Sequence, residues 1–336
     1  MKAPDYWQRG HGGLISILLR PFGWLYDVGS QMNQTAATSL KATVPVICVG
    51  NVVAGGAGKT PVAIDIGKRL VEAGIDLHFL SRGYGGSETG PHRVDGRSDR
   101  AERVGDEPIL LSQVASTWVA KDRIKGAGAL IDAGAKAIIL DDGLQNSALC
   151  KDLSFCVIDG TYGLGNGRVM PAGPLRESLE NALTKSNAVV LMGEDEAGVE
   201  AAIIRIAPEI PVLKATLEAD TSGLELAAKP VHAFAGIGHP EKFFKTLHLL
   251  KCDLRKAIPF PDHHLFRPDE ISKMVLDAKM DGAVLVTTEK DYVRLDPKWQ
   301  EGVMVLPVTL KWQDEALLES LLKPLFLDAV SYAGSE

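Results

Sequence analysis

Residues 45–61 read PVICVGNVVAGGAGKTP. Pro45–Val49 is a short apolar run of the buried-strand type, and Pro61–Ala73 carries the apolar spacing of a helix. Between them lies Gly55-Gly56-Ala57-Gly58-Lys59-Thr60. A strand, a glycine-rich turn and a helix in that order form the setting of a phosphate-binding loop. The glycines let backbone N–H groups close around phosphate oxygens, Lys59 would reach the β- and γ-phosphates, and the Thr60 hydroxyl would take Mg²⁺. The strict GxxxxGK[ST] pattern is not met, because Val53 stands in the first glycine position, but Gly50, Gly55 and Gly56 lie close enough to serve the turn. The six residues 55–60 are therefore the candidate ATP-binding set.

Outward from this loop, short apolar runs alternate with helical periodicity. Leu77–Leu80 and Ser116–Ala120 read as strands, Glu107–Ala115 and Arg123–Ala133 as helices. Ala137–Leu140 and Phe155–Ile158 are further buried-strand runs. A later series follows in Val231–Ala235, Glu241–Leu250, Ile271–Lys279 and Ala283–Thr287, with a last amphipathic run at Glu315–Leu325. Such alternation predicts an α/β protein built on a mostly parallel sheet. A phosphate loop also needs a magnesium-handling carboxylate at the end of an apolar strand. Asp141 and Asp142 after AIIL fit that need; Asp159 after FCVI is a rival, and an acid there can also simply begin a turn.

Composition narrows the class. The chain has 336 residues, 46% hydrophobic and 24% charged, with a net charge of −7. That length suits two domains, and the composition excludes a mostly disordered or fibrous chain. The acidic balance argues against a nucleic-acid partner. Cys48, Cys150, Cys156 and Cys252 form no CxxC pair, so core thiols in a reducing compartment are expected.

No window reaches the ~18 apolar residues of a membrane span. Leu14–Val28, LISILLRPFGWLYDV, comes nearest, interrupted by Arg20 and Pro21. Residues 1–45 carry four basic against two acidic side chains, on an otherwise acidic protein. A locally basic helix bearing Phe22, Trp24 and Tyr26 suits a membrane interface. A helix packed on its own domain is the other reading.

Nucleotide binding alone names no reaction. A GTPase reading lacks an NKxD motif. A ParA/MinD-type ATPase switch carries a lysine just before the paired glycines, where this chain has Ala54. A kinase needs a base for the acceptor hydroxyl, and the candidates are Asp106 and Glu107 in VGDEP, and His263 and His264 in FPDHHLF.

Seven separated motifs occur in order: VGNVVAGGAGKTP (49–61), LSRGYGG (80–86), VGDEP (104–108), DDGLQN (141–146), GNGRVMPAGPLRE (165–177), FPDHH (260–264) and TTEKDYVR (287–294). In this set the chain resembles the tetraacyldisaccharide 4′-kinases, the lipid A 4′-kinases of Gram-negative bacteria. The resemblance implies a P-loop NTPase-like domain joined to a smaller α/β domain, with an N-terminal membrane-interfacial helix. Residues 1–152 are expected in the first domain and 153–307 in the second with its linkers, with a final helix over about 308–336 packing back on the first. It implies transfer of the γ-phosphate of ATP to the 4′-hydroxyl of a tetraacylated glucosamine disaccharide 1-phosphate, giving lipid IVA. The work is expected at the cytoplasmic face of the inner membrane, without an obligate protein partner.

Carried over by motif, Asp106 and His263 are the dyad that deprotonates the hydroxyl. Thr60, Glu107, Asp141 and Asp142 surround Mg²⁺. Arg176 and Glu177 contact the head group, and Arg82 either helps the transferring phosphate or makes a structural ion pair. Lys290 and Asp291 receive only an interdomain or structural role. Asn146, where the family often has His, and Ser178, where Pro is common, leave local geometry near Asp142 and Glu177 open.

Overall fold

The computed structural model describes residues 4–10, 12–36, 39–222 and 226–333. Among these, the strands fall into a nine-stranded and a four-stranded sheet. The larger takes β1 (Val46–Gly50), β2 (Leu77–Ser81), β3 (His92–Arg93), β4 (Ser116–Val119), β5 (Ala137–Asp141), β6 (Leu153–Asp159), β7 (Ala188–Met192) and β8 (Val212–Ala219). The smaller takes β9 (Pro230–Ala235), β10 (Asp253–Pro259), β11 (Val284–Thr288) and β12 (Met304–Leu306). β13 (Val308–Trp312) then returns to the larger sheet, antiparallel to β8. The helices begin with α1 (Gly13–Leu18), α2 (Arg20–Ala36), α3 (Lys59–Glu72), α4 (Ala101–Val104), α5 (Asp106–Ser112), α6 (Arg123–Asp132) and α7 (Leu179–Thr184). There follow α8 (Val199–Ile206), α9 (Pro240–Leu249), α10 (Pro268–Met280), α11 (Glu289–Tyr292), α12 (Pro297–Gln300) and α13 (Glu315–Ala333).

β1 lies between β5 and β6, parallel to both, which is why every residue of VICVG is buried. On one face, α3 presents Val62, Ala63, Ile66 and Leu70 to Ile47 and Val49. On the other, Ala127 and Leu130 of α6 and Ala182 and Leu183 of α7 pack with Val46 and Cys48. Burying each such Leu or Ile contributes about 1.5–3 kcal/mol. The same burial pushes the thiol of Cys48 up to about 11 and that of Cys156 to about 12, so both are inert core residues.

The expected domain boundary at 152/153 is corrected. β6 pairs with β1, β7 with β6 and β8 with β7, so residues 153–219 extend the larger sheet. The second unit is the four-stranded sheet, parallel throughout, in the order β10-β9-β11-β12. Strand–helix alternation continues unbroken across residue 153, and pairing between distant strands is not written in local periodicity. The final helix does return: Leu318, Leu322 and Leu325 of α13 share a core with α3. Arg69 of α3 meets Glu315 at 2.7 Å, and Trp312 Nε1 donates to Asp65 Oδ2 at 2.7 Å.

At the N-terminus the apolar run breaks at Leu19 rather than at Arg20–Pro21. Pro21 sits in the first turn of α2, where its missing N–H costs nothing. One side is pinned to the loop before α7. Ser16 Oγ donates to Ala172 O at 2.5 Å and accepts from Arg168 at 2.7 Å, and a side chain on Gly23 would strike Val169 O. Leu14, Leu18, Phe22, Trp24 and Leu25 are exposed. The reading of a helix packed on its own domain thus holds for one face, and the other face is apolar and exposed. Among the described residues no helix is long and apolar enough to cross a membrane.

Candidate active site

The loop between β1 and α3 is shaped by its glycines. A Cβ on Gly50 would lie 2.5 Å from Leu144 Cβ, so only glycine lets the loop after β5 lie against it. Gly55 and Gly58 have φ of +123° and +85°, which glycine adopts without strain. Asn51 stiffens the turn by donating to Val53 O and Gly55 O, and its side-chain oxygen accepts from Lys59 Nζ at 3.3 Å. Lys59 also lies 3.7 Å from Asp142. Its ammonium is thereby held at the mouth of the loop, at the N-terminus of a 14-residue helix whose dipole favours anions.

Asp141 ends β5 and is 1% exposed. Burial first, then the neighbouring carboxyls of Glu107 and Asp142, push it up to about 7. Its Oδ1 has no hydrogen-bond partner, while Oδ2 takes only a long bond from Ser81 Oγ at 3.4 Å. A buried carboxylate oxygen left without a donor is what a cation would satisfy. Asp142, with φ of +55°, pairs with Arg176 at 2.7 Å. Burial raises its pKa, but Lys59 and Arg176 outweigh that and hold it below the usual range. The described residues contain no group of three or more His, Cys, Asp or Glu placed to hold a metal. A magnesium ion bound with nucleotide phosphates needs only one or two protein carboxylates, and Asp141, with its unpartnered Oδ1, fits that need beside Asp142. The rival Asp159 begins a turn, accepting from the amides of Thr161 and Tyr162, and reaches Lys242 at 2.7 Å.

Asp106 and His263, 157 residues apart, come together: His263 Nδ1 lies 3.1 Å from Asp106 Oδ2. Asp106 opens α5 in the larger unit, and His263 sits beyond β10 in the smaller. His263 has φ of +58°, and its amide donates to Gly236 O at 3.1 Å. Burial alone would raise Asp106, but the His263 hydrogen bond and the charges of Lys290 and Arg294 hold it well below the ordinary carboxylate range. Tyr84 from LSRGYGG packs on the imidazole, ring centroids 5.5 Å apart.

The remaining expected residues divide. Arg176 bonds Asp142 and approaches Gln145 Oε1 at 3.4 Å. Glu177 is 1% exposed, pairs with Lys185 and accepts from Gln145 Nε2 at 2.9 Å, so its carboxylate is held beside Arg176 by the loop after β5 and by α7 with its following turn. Arg82 is exposed and makes no ion pair among the described residues. Glu107 meets Lys290 Nζ at 3.3 Å, so it is held by a cation of the smaller unit. Asn146 Oδ1 accepts from Ala148 N at 3.1 Å within the turn. Ser178 caps α7, and its amide, which proline would lack, donates to Asp27 Oδ1 of α2 at 3.2 Å.

Sequence reasoning passed over Asn51, Arg123, Gln145 and Arg294. Arg123, almost fully buried, donates to Asp141 O at 3.2 Å and leaves its other terminal nitrogen unpaired. Arg294 ends the quoted TTEKDYVR motif, and its spacing of three from Asp291 was the available signal.

A glycine-rich loop leading into a helix, strand-end acids beside it, and a carboxylate–imidazole pair assembled from two units define a P-loop phosphotransferase. Residues 15–326 match the family described as Tetraacyldisaccharide-1-P 4′-kinase (LpxK). A tetraacyldisaccharide 4′-kinase of Paramagnetospirillum magneticum is 46% identical, over 97% of this chain and 98% of that one. One of Rhodospirillum centenum is also 46% identical, over 97% of each. The crystal structure of LpxK from Aquifex aeolicus in complex with ATP superposes with a TM-score of 0.72 at 28% identity, covering 93% of this chain and all of that one. The chain belongs to the tetraacyldisaccharide 4′-kinase family, ATP-dependent kinases of lipid A biosynthesis. The ParA/MinD-type switch has no support.

Proposed function

We propose that the chain transfers the γ-phosphate of ATP to the 4′-hydroxyl of a tetraacylated glucosamine disaccharide 1-phosphate, giving lipid IVA, with Asp106 and His263 handling the hydroxyl proton. The observation that carries this is the 3.1 Å contact between them, made across two sheets and beside the strand-end acids. A sugar hydroxyl is a poor nucleophile until its proton has somewhere to go. An imidazole suits that task near neutrality. Asp106, held as a permanent anion, fixes the ring through Nδ1 and stabilises the imidazolium that forms. The hydroxyl oxygen then forms the new P–O bond as the bond to the β–γ bridging oxygen breaks, and ADP leaves with that electron pair. Lys59 and the loop amides hold the phosphates. Bound Mg²⁺, held by Thr60, Asp141 and Asp142, would supply charge neutralisation for the transferring group. Arg176, anchored by Asp142, its neighbour Glu177 and the exposed Arg82 are the candidates for head-group and phosphate contacts.

The substrate's acyl chains belong in a bilayer, so the exposed apolar side of α1 and α2 is the membrane-facing surface in this reading, at the cytoplasmic face of the inner membrane. The test uses purified protein in detergent with Mg²⁺, γ-labelled ATP and the disaccharide lipid, resolved by thin-layer chromatography. Label should enter a lipid one phosphate richer and vanish in Asp106→Ala. ATP hydrolysis with no labelled lipid would reject the reading.

A further inference from the structure

We propose that Arg294 is a positioning residue for phosphoryl transfer, holding both members of the Asp106–His263 pair in register through one buried guanidinium. It rests on the function proposed above. The Arg294 side chain is 1% exposed. Its Nε donates to Asp106 Oδ2 at 2.9 Å, and one terminal nitrogen donates to the same oxygen. The other terminal nitrogen donates to Asp291 Oδ1 at 2.8 Å and to Gly236 O at 2.7 Å.

Gly236 O is the acceptor that also fixes the His263 amide, at 3.1 Å. Arg294 therefore reaches Asp106 directly and His263 through a single shared carbonyl. Asp291 completes the frame: its Oδ1 also accepts from Gly236 N at 3.0 Å and its Oδ2 from Thr288 Oγ1 at 2.7 Å. The approach is close enough that a Cβ on Gly236 would lie 3.1 Å from Asp291 Oδ1 and 3.2 Å from Pro261 O.

The chemistry of the site favours arginine for this task. Two carboxylates and a carbonyl are arranged around one planar group, which a guanidinium can serve at once and an ammonium cannot. The converging donors load Asp106 Oδ2, while Oδ1 takes the Glu107 amide at 3.0 Å. The carboxylate is thereby fixed in rotation as well as position. Because Arg294 belongs to the smaller unit and Asp106 to the larger, the dyad exists in this geometry only while the two units are docked.

The test compares Arg294→Lys, which keeps the charge and loses the fork, with wild type in the labelled-lipid assay. Calorimetric ATP titration counts folded sites. We expect kcat to fall up to about 10²-fold, the scale of a misplacement near 1 Å, with KM for ATP and lipid within about twofold. In a His263→Ala background the same substitution should cost under about threefold, because residues acting as one unit are not additive. An unchanged kcat in Arg294→Lys, or the full loss repeated in the His263→Ala background, would overturn the proposal. If Arg294→Lys fails to bind ATP, Gly236→Ala probes the same route from the backbone, with the same expected dependence on His263. A wild-type protein that labels no lipid would instead reject the functional reading, before any Arg294 comparison is made.

Discussion

Asp106 is asked to remain charged while nearly buried, which only its partners permit. Replacing it by Asn should lower turnover about 10²–10⁴-fold, the range of general acid–base catalysis, while ATP titration still shows full occupancy. The same change leaves Arg294 short of a counter-charge, and breaking such a buried pair costs about 3–5 kcal/mol. The pH dependence has a definite sign. A carboxylate whose folded pKa lies below its unfolded value of about 3.9 contributes stability above that value and loses it as pH falls. Urea melts of wild type and Asp106→Asn should therefore differ most at neutral pH and draw together below about pH 4. A gap that stays constant down to pH 3 would count against the ion pairs as its source. Lys59→Ala removes the cation that Asn51 and Asp142 hold at the loop mouth, and should raise KM for ATP as well as lower kcat.

The elements around the site are set by close approaches rather than by propensity. Gly50→Ala would drive Cβ into Leu144, and a substitution forced into a packed site costs about 1–3 kcal/mol. It should lower the thermal midpoint and weaken ATP binding together, since β1 and the loop after β5 carry both halves of the phosphate site; a midpoint unchanged by differential scanning calorimetry would show that the loops give way cheaply. α1 and α2 make a different demand. Their inner side is tied down by Ser16 and Gly23, and their outer side shows Leu18 and Trp24 at 71% and 66% exposure. The double substitution Leu18→Glu/Trp24→Glu should strip the protein from anionic vesicles in a flotation assay, leaving ATP binding intact. Equal flotation of variant and wild type would remove these helices as the membrane surface.

At the scale of the whole molecule, the phosphate loop belongs to the larger unit and the dyad joins the larger unit to the smaller. Asp106 to His263 and Arg294, Glu107 to Lys290, and Asp159 to Lys242 are polar links between the larger and smaller units. Val293 adds apolar packing against Val104, Ile109 and Val119, and Tyr84 adds a ring contact to His263, so the contact between the units is mixed in character. β13 and α13 then tie the end of the chain back to the larger sheet, so the smaller unit is an insertion between β8 and β13 rather than a C-terminal appendage.

The sequence by itself determined the phosphate loop, because glycines, Lys59 and Thr60 act through local backbone geometry next to a strand and a helix. It determined the α/β alternation for the same reason: side-chain periodicity is a local property. It also placed Asp141 at a strand end, since an apolar run that closes on an acid is a local signal. Only the tertiary structure decided that β6, β7 and β8 join β1's sheet, because hydrogen-bond partners in a sheet are far apart in sequence. Only the tertiary structure showed that Glu177 is buried, because that depends on where Lys185 and Gln145 come to lie around it. The role of Arg294 was hidden for the same physical reason. Its partners Asp106 and Gly236 lie 188 and 58 residues away, and a guanidinium's meaning is set by the acceptors that folding brings to it.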